Sequence, residues 1–167
     1  MTEQSPDQTP ERPAHERAAK PKRILLVEDN ADDAALTLRA LRKTAILSEI
    51  TWVRDGVEAL DYLFHAGKYA ESARPELPTL VILDLKLPKI DGLEVLRRLR
   101  ANPSTQCIPV VVLTSSKEQR DVHRSYAYGA NSYIHKQIDF VKFTETVRQM
   151  KAYWLNLNEA APEGDGP

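Results

Sequence analysis

From residue 24 to residue 157 the chain alternates short apolar runs with amphipathic stretches. Ile24–Val27, Leu80–Leu83 and Val110–Leu113 are apolar runs too short for helices, and their flanks mark them as strands. Ile50–Val53 is β-branched and aromatic, which also favours a strand, and Ser132–Ile134 reads as a short fifth one. Between them the spacing turns helical. Residues 31–43 place Ala31, Ala34, Ala35, Leu38 and Leu41 on one stripe. Asp55-Gly56 opens a helix carrying Val57, Leu60, Leu63 and Phe64, and residues 92–100 carry Leu93, Val95, Leu96 and Leu99. Ser116-Lys-Glu-Gln119 has the spacing of a capping box and starts a fourth helix. Asp139 caps a last helix with Phe140, Phe143, Val147, Met150 and Trp154 on one stripe.

This order is strand then helix, five times over. Continuously apolar strands alternating with helices imply a parallel sheet covered on both faces, an α/β doubly wound (βα)5 open sheet in a single domain. The body is residues 23–157. Residues 1–22 hold four of the eleven prolines, many charges and no large aliphatic side chain beyond Met1. They cannot bury enough apolar area to offset their ordering entropy, so a disordered tail is expected, as it is for the acidic residues 158–167.

Composition narrows the function. Of 167 residues 42% are hydrophobic and 28% charged, enough for a core without metal or disulfide staples. The net charge of −1 argues against nucleic acid or a membrane surface as partner. No apolar run spans a bilayer and no apolar signal core opens the chain, so a cytoplasmic location is expected. The single cysteine, Cys107, fits a reducing compartment.

In open parallel sheets chemistry sits beyond the carboxyl ends of the strands. Glu28 and Asp29 follow the first strand, Asp84 the third, Thr114 and Ser115 the fourth, and Lys136 the fifth. Singly, such residues serve as helix caps, turn residues or solvated charges. Together they place three carboxylates, a hydroxyl and an ammonium on one edge. Packed carboxylates repel and favour a divalent cation, and an all-oxygen set suits Mg²⁺ better than Zn²⁺. A carboxylate beside Mg²⁺ and an ammonium can attack a phosphoryl group. The metal and Lys136 would neutralise its oxygens, and Thr114 would hydrogen-bond one of them.

On these residues the chain resembles the response-regulator receiver domains of two-component signalling, which have a flavodoxin-like fold. The resemblance is carried by Val27–Asn30, Leu83–Pro88, Asp91-Gly92, Leu113–Ser116, Gly129–Tyr133 and Lys136, and covers residues 23–155. It implies that Asp84 is the phosphoacceptor, Asp29 a direct Mg²⁺ ligand, and Glu28 a ligand through water. The Lys86 backbone carbonyl is implied as a further ligand. Thr114 matches the phosphoryl-binding hydroxyl and Lys136 the lysine that pairs with the phosphorylated aspartate. Tyr133 matches the aromatic switch. One departure is Gln137, where the family usually has a proline in a cis bond; a non-proline cis bond costs about 2.5–4 kcal/mol, so trans is expected here.

The resemblance implies a sensor histidine kinase as partner. The long loop at 67–78, with Phe64-His65 and Tyr69, resembles receivers paired with bacterial and cyanobacterial phytochrome kinases. About 120–130 residues make a receiver, which leaves no room for an output domain. The expected output is phosphorylation-dependent docking or onward phosphotransfer to another protein, and no enzymatic activity beyond self-phosphorylation and autodephosphorylation at Asp84. Lys86 and Ser116 flank the water approach and are expected to tune that loss. Tyr153, Leu155 and Leu157 extend the apolar character of the last helix, which suggests a homodimer through the C-terminal segment; folding back on the body is the alternative. His65, His123 and His135 show no metal spacing and read as surface histidines. Two other functions remain: a phosphorylation-independent pseudo-receiver, and an aspartate-nucleophile phosphatase, which needs a second acid where Lys86 stands.

Overall fold

The structure, a computed structural model, describes residues 21–71 and 77–161. Of the expected tails, 1–22 and 158–167, residues 1–20 and 162–167 lie outside them, as do loop residues 72–76, whereas Lys22 is described as the first residue of a strand. Five strands form one sheet: β1 (Lys22–Val27), β2 (Ser48–Val53), β3 (Leu80–Leu83), β4 (Val110–Thr114) and β5 (Ser132–His135). They are parallel throughout, in the order β2-β1-β3-β4-β5. β3 and β4 are buried along their whole length, which explains why they read as unbroken apolar runs, while β5 at one edge is half-buried.

Five helices connect the strands: α1 (Ala31–Arg42), α2 (Gly56–Phe64), α3 (Gly92–Ala101), α4 (Gln119–Ala127) and α5 (Phe140–Ala152). They divide the core into two layers. On one face α2 and α3 bury Leu60, Leu63, Val95, Leu96 and Leu99 against Leu25, Val81 and Val112. On the other, α1 and α5 bury Ala34, Leu41, Phe143, Val147 and Met150 against Ile24, Ile82 and Val111. This is the flavodoxin-like doubly wound arrangement.

Asn30, Asp55, Asp91 and Asp139 cap four of the helices through side-chain oxygens. The fourth helix departs from its expected start. The Ser116 capping box does not form: α4 begins at Gln119 after an uncapped Glu118. The Ser116 hydroxyl donates instead to Asp121 Oδ2 at 2.6 Å, so it is engaged with the helix's first turn rather than closing it. After α5 the chain widens into a π-helical turn, Tyr153–Leu157. That turn splits the apolar extension: Leu155 is 3% exposed and joins the core, whereas Tyr153 is 50% and Leu157 74% exposed.

Candidate acidic site at the carboxyl edge of the sheet

The order of the strands reverses between β1 and β3, and the ends of these two strands carry the acidic residues. Parallel pairing sets Val27 beside Leu83, so Glu28 and Asp84 emerge side by side. Glu28, Asp29 and Asp84 each offer an oxygen, and these oxygens lie within 4.8 Å of one another. Glu28 and Asp84 are buried and Asp29 is exposed, so the cluster opens to solvent on one side.

Local backbone fixes this edge. The Asn30 N–H donates to Glu28 Oε1 at 3.2 Å, and the Trp52 indole N–H donates to the Glu28 carbonyl at 2.8 Å. The Asp84 Oδ1 accepts from the Lys86 N–H at 3.2 Å, which turns the chain past the end of β3. Gly92 closes that turn: a Cβ there would stand 2.2 Å from the Asp84 carbonyl oxygen, so only glycine lets α3 start so near.

Lys136 reaches in from the end of β5. Its ammonium donates to Glu28 Oε2 at 2.5 Å, Asp84 Oδ2 at 2.7 Å and Asp33 Oδ2 at 2.8 Å. No peptide bond among the described residues is cis, so Lys136–Gln137 is trans as its cost dictates, and Lys136 still reaches the cluster. Asp33 is the member that sequence reasoning missed. Its signal was available: Asn30 accepts from the Asp33 N–H at 3.0 Å, which puts Asp33 in the first turn of α1, above the site.

Burial pushes the Glu28 carboxyl up to about 7, with the neighbouring Asp84 charge adding to the rise and Lys136 opposing it. Burial would lower the Lys136 ammonium, but its hydrogen bonds to Asp33, Asp84 and Glu28 outweigh that and hold it above its ordinary range. One ammonium bonded to three carboxyl groups, with Asp29 as a fourth beside them, leaves surplus negative charge. An all-oxygen donor set with an open side suits a hard divalent cation that keeps some water.

Thr114 is fully buried at the end of β4, and its Oγ1 accepts from the Ser116 N–H at 3.4 Å. Tyr133 is half-buried on β5 and donates its hydroxyl to the Ser116 carbonyl at 3.0 Å. The Lys86 side chain turns away from the acidic cluster and lies 3.5 Å from Asp121 Oδ2. Ser116 and Lys86 thus meet on one carboxylate, and the Ser116 hydrogen bond holds Asp121 below the usual carboxylate range.

The family model of the response regulator receiver domain matches residues 24–148. Receiver domains are signalling modules rather than enzymes; they bind a divalent metal at an acidic pocket and work with histidine kinases. The probable methanogenesis regulatory protein FilR2 of Methanothrix harundinacea is 43% identical over 143 residues, 86% of this chain and 90% of that protein. Response regulator Rcp1 of Synechocystis sp. is 41% identical over 135 residues, 81% of this chain and 90% of that protein. A crystal structure of the Mn²⁺-bound form of Rcp1 superposes with a TM-score of 0.78 at 39% identity, covering 84% of this chain and 99% of that one. The phosphorylated cyanobacterial phytochrome response regulator RcpA gives the same TM-score at 38% identity, covering 84% and 98%. With this fold, this acidic edge and these relatives, the chain belongs to the response regulator receiver domain family of two-component signalling.

Proposed function

We propose that this receiver takes a phosphoryl group onto Asp84 from a histidine kinase and signals through the change that follows. The observation that carries the reading is the Lys136 ammonium, 2.7 Å from Asp84 Oδ2 at the switch point of the sheet. An Asp84 carboxylate oxygen attacks the phosphorus of a phosphohistidine, the P–N bond breaks, and the imidazole leaves with its electron pair and takes up a proton. The product is an acyl phosphate. Lys136 and the Thr114 hydroxyl stabilise its oxygens. Glu28, Asp29, Asp84 and the Lys86 carbonyl would hold Mg²⁺, which draws charge from the phosphoryl group during transfer. Water then attacks the phosphorus, the bond from phosphorus to the Asp84 oxygen breaks, inorganic phosphate leaves and the carboxylate is restored; the Lys86 and Ser116 side chains, both on Asp121, set the rate of that return.

Similarity to RcpA and Rcp1 favours a phytochrome-type sensor kinase as donor. Tyr133 and α4 form the surface read by a downstream docking or phosphotransfer protein. The exposed Tyr153 and Leu157 favour a homodimer through the C-terminal segment. The proposed location is the cytoplasm, where the exposed Cys107 thiol stays reduced.

Intact-protein mass after incubation with acetyl phosphate tests the reading. One phosphoryl adduct is expected that requires both Mg²⁺ and Asp84, so that Asp84→Asn remains unmodified. An adduct that persists in Asp84→Asn would refute the assignment.

A further inference from the structure

Between the end of β3 and the start of α3 the chain makes two tight turns. The Leu87 N–H donates to the Leu85 carbonyl at 3.1 Å, and the Ile90 N–H to the Pro88 carbonyl at 2.8 Å, each only two residues back. The first turn is centred on Lys86 and the second on Lys89. Lys89 has a φ of 64°, so the second is the rare, strained form of the three-residue turn. A lysine in this region is disfavoured about five- to thirtyfold, a penalty that glycine escapes.

Lys89 is held there from α2. Its ammonium donates to Asp55 Oδ2 at 2.6 Å, while Asp55 Oδ1 caps α2 by accepting from the Glu58 N–H at 2.8 Å. One buried carboxylate thus spends one oxygen on the helix and the other on the loop. The residues that follow each partner meet as well: a Cβ on Gly56 would stand 2.0 Å from the Ile90 carbonyl oxygen, so the start of α2 abuts the turn. The first turn bears on the acidic site. The Lys86 N–H donates to Asp84 Oδ1, and the Lys86 carbonyl accepts no hydrogen bond among the described residues, which leaves its lone pairs for a cation. The Leu85 carbonyl ties the two ends of the loop, accepting from the N–H of Leu87 and, at 3.0 Å, of Gly92, so a shift at Lys89 is felt at Lys86.

We propose that Asp55 and Lys89 are positioning residues for the divalent cation: their ion pair braces the strained turn and so keeps the Lys86 carbonyl where it can share a cation with the carboxylates. This rests on the reading of Glu28, Asp29, Asp84 and the Lys86 carbonyl as metal ligands. Without the brace the loop spends part of its time with Lys89 at negative φ, and the apparent affinity falls with the fraction of time the ligand set is complete.

Mn²⁺ affinity of the full chain tests this, read from free Mn²⁺ by electron paramagnetic resonance in variants whose cooperative melting is checked. Lys89→Met and Lys89→Gly lose the same charge and the same ion pair, but only the first still carries the cost of a positive φ. Because the lysine is mostly exposed, the pair is of moderate strength, and Lys89→Met should bind Mn²⁺ about two- to fivefold more weakly than wild type. Loss of a nearby positive charge alone would tighten binding instead. Lys89→Gly should bind at least as well as wild type. Asp55→Asn, which keeps a cap on α2, should weaken binding more in the wild-type chain than in Lys89→Gly. Lys89→Met binding as tightly as wild type, Lys89→Gly binding as weakly as Lys89→Met, or an equal effect of Asp55→Asn in both backgrounds overturns the brace alone. A wild type that binds no Mn²⁺ overturns the brace together with the metal site on which it rests.

Discussion

Glu28 shows how burial and charge oppose each other at this site. Its carboxyl rises from 4.5 to about 7, first because it is buried. A group with a higher pKa folded than unfolded binds its proton more readily in the folded chain. Between these two values folding therefore takes up a proton, and the contribution of Glu28 to stability falls as pH rises. In metal-free protein, urea midpoints should fall from pH 5 to pH 8 more steeply in wild type than in Glu28→Gln; parallel curves would count against this. Saturating Mg²⁺ should remove the difference, because the cation holds the carboxylate ionised. Lys136 acts in the opposite sense on the metal, since its ammonium occupies the same carboxylates. Lys136→Met should tighten Mn²⁺ binding by roughly tenfold, read from free Mn²⁺ by electron paramagnetic resonance. Weaker binding in the variant would mean that Lys136 orders the carboxylates more than it competes for them. The strand-end residues are legible in the sequence because a parallel sheet brings the residue after every strand to one edge. Asp33 is less legible, since its contact depends on how far a side chain in α1 reaches across to β5.

At the scale of elements, α5 does more than cover the sheet. Lys151 is 1% exposed and donates to the carbonyls of Leu41 and Ile46, at 2.9 and 2.7 Å. It supplies donors where the last turn of α1 has run out of N–H groups, and a cation suits that helix end. Burial lowers its ammonium from the ordinary range. Lys151→Met would take the ammonium from the Ile46 carbonyl, worth about 1–3 kcal/mol, whereas the Leu41 carbonyl keeps the Thr44 hydroxyl at 3.1 Å; no longer burying a charge offsets part of the loss. A net loss of about 1 kcal/mol in urea unfolding is expected with an unchanged slope, and no loss would show that water replaces the ammonium. Nothing near Lys151 in the sequence marks it out, because its partners, the carbonyls of Leu41 and Ile46, lie 110 and 105 residues away along the chain. Ser116 misleads for a related reason. Its spacing to Gln119 satisfies a capping box, but the hydroxyl bonds to Asp121 and the helix starts later. By contrast Asn30, Asp55, Asp91 and Asp139 behave as local caps, each accepting from N–H groups in the first turn of its own helix, and Asp55 does so with one oxygen while the other accepts from Lys89 Nζ at 2.6 Å.

For the molecule as a whole, the C-terminal turn decides whether a second copy has anything to hold. Leu155 is taken up by the core, so part of the apolar extension folds back on its own body. Tyr153 and Leu157 are not, and the π-helical turn, closed by the Asn158 N–H on the Tyr153 carbonyl at 2.8 Å, leaves both in solvent. Tyr153 stands edge-to-face on Trp154 at 5.0 Å, which gives the exposed pair a fixed shape. A surface that is ordered, aromatic and apolar at the end of a helix fits a symmetric contact with its own copy. Cutting the chain after Met150 is the wrong test, because it removes Lys151 and Leu155 and so measures folding instead of association. Tyr153→Glu with Leu157→Glu keeps the core and charges only the exposed pair. Sedimentation should show a dimer for wild type and a monomer for the double variant, with their unfolding midpoints alike. Equal masses for the two would leave the C-terminal surface free for a different partner, the kinase or its downstream target, and would end the case for the dimer.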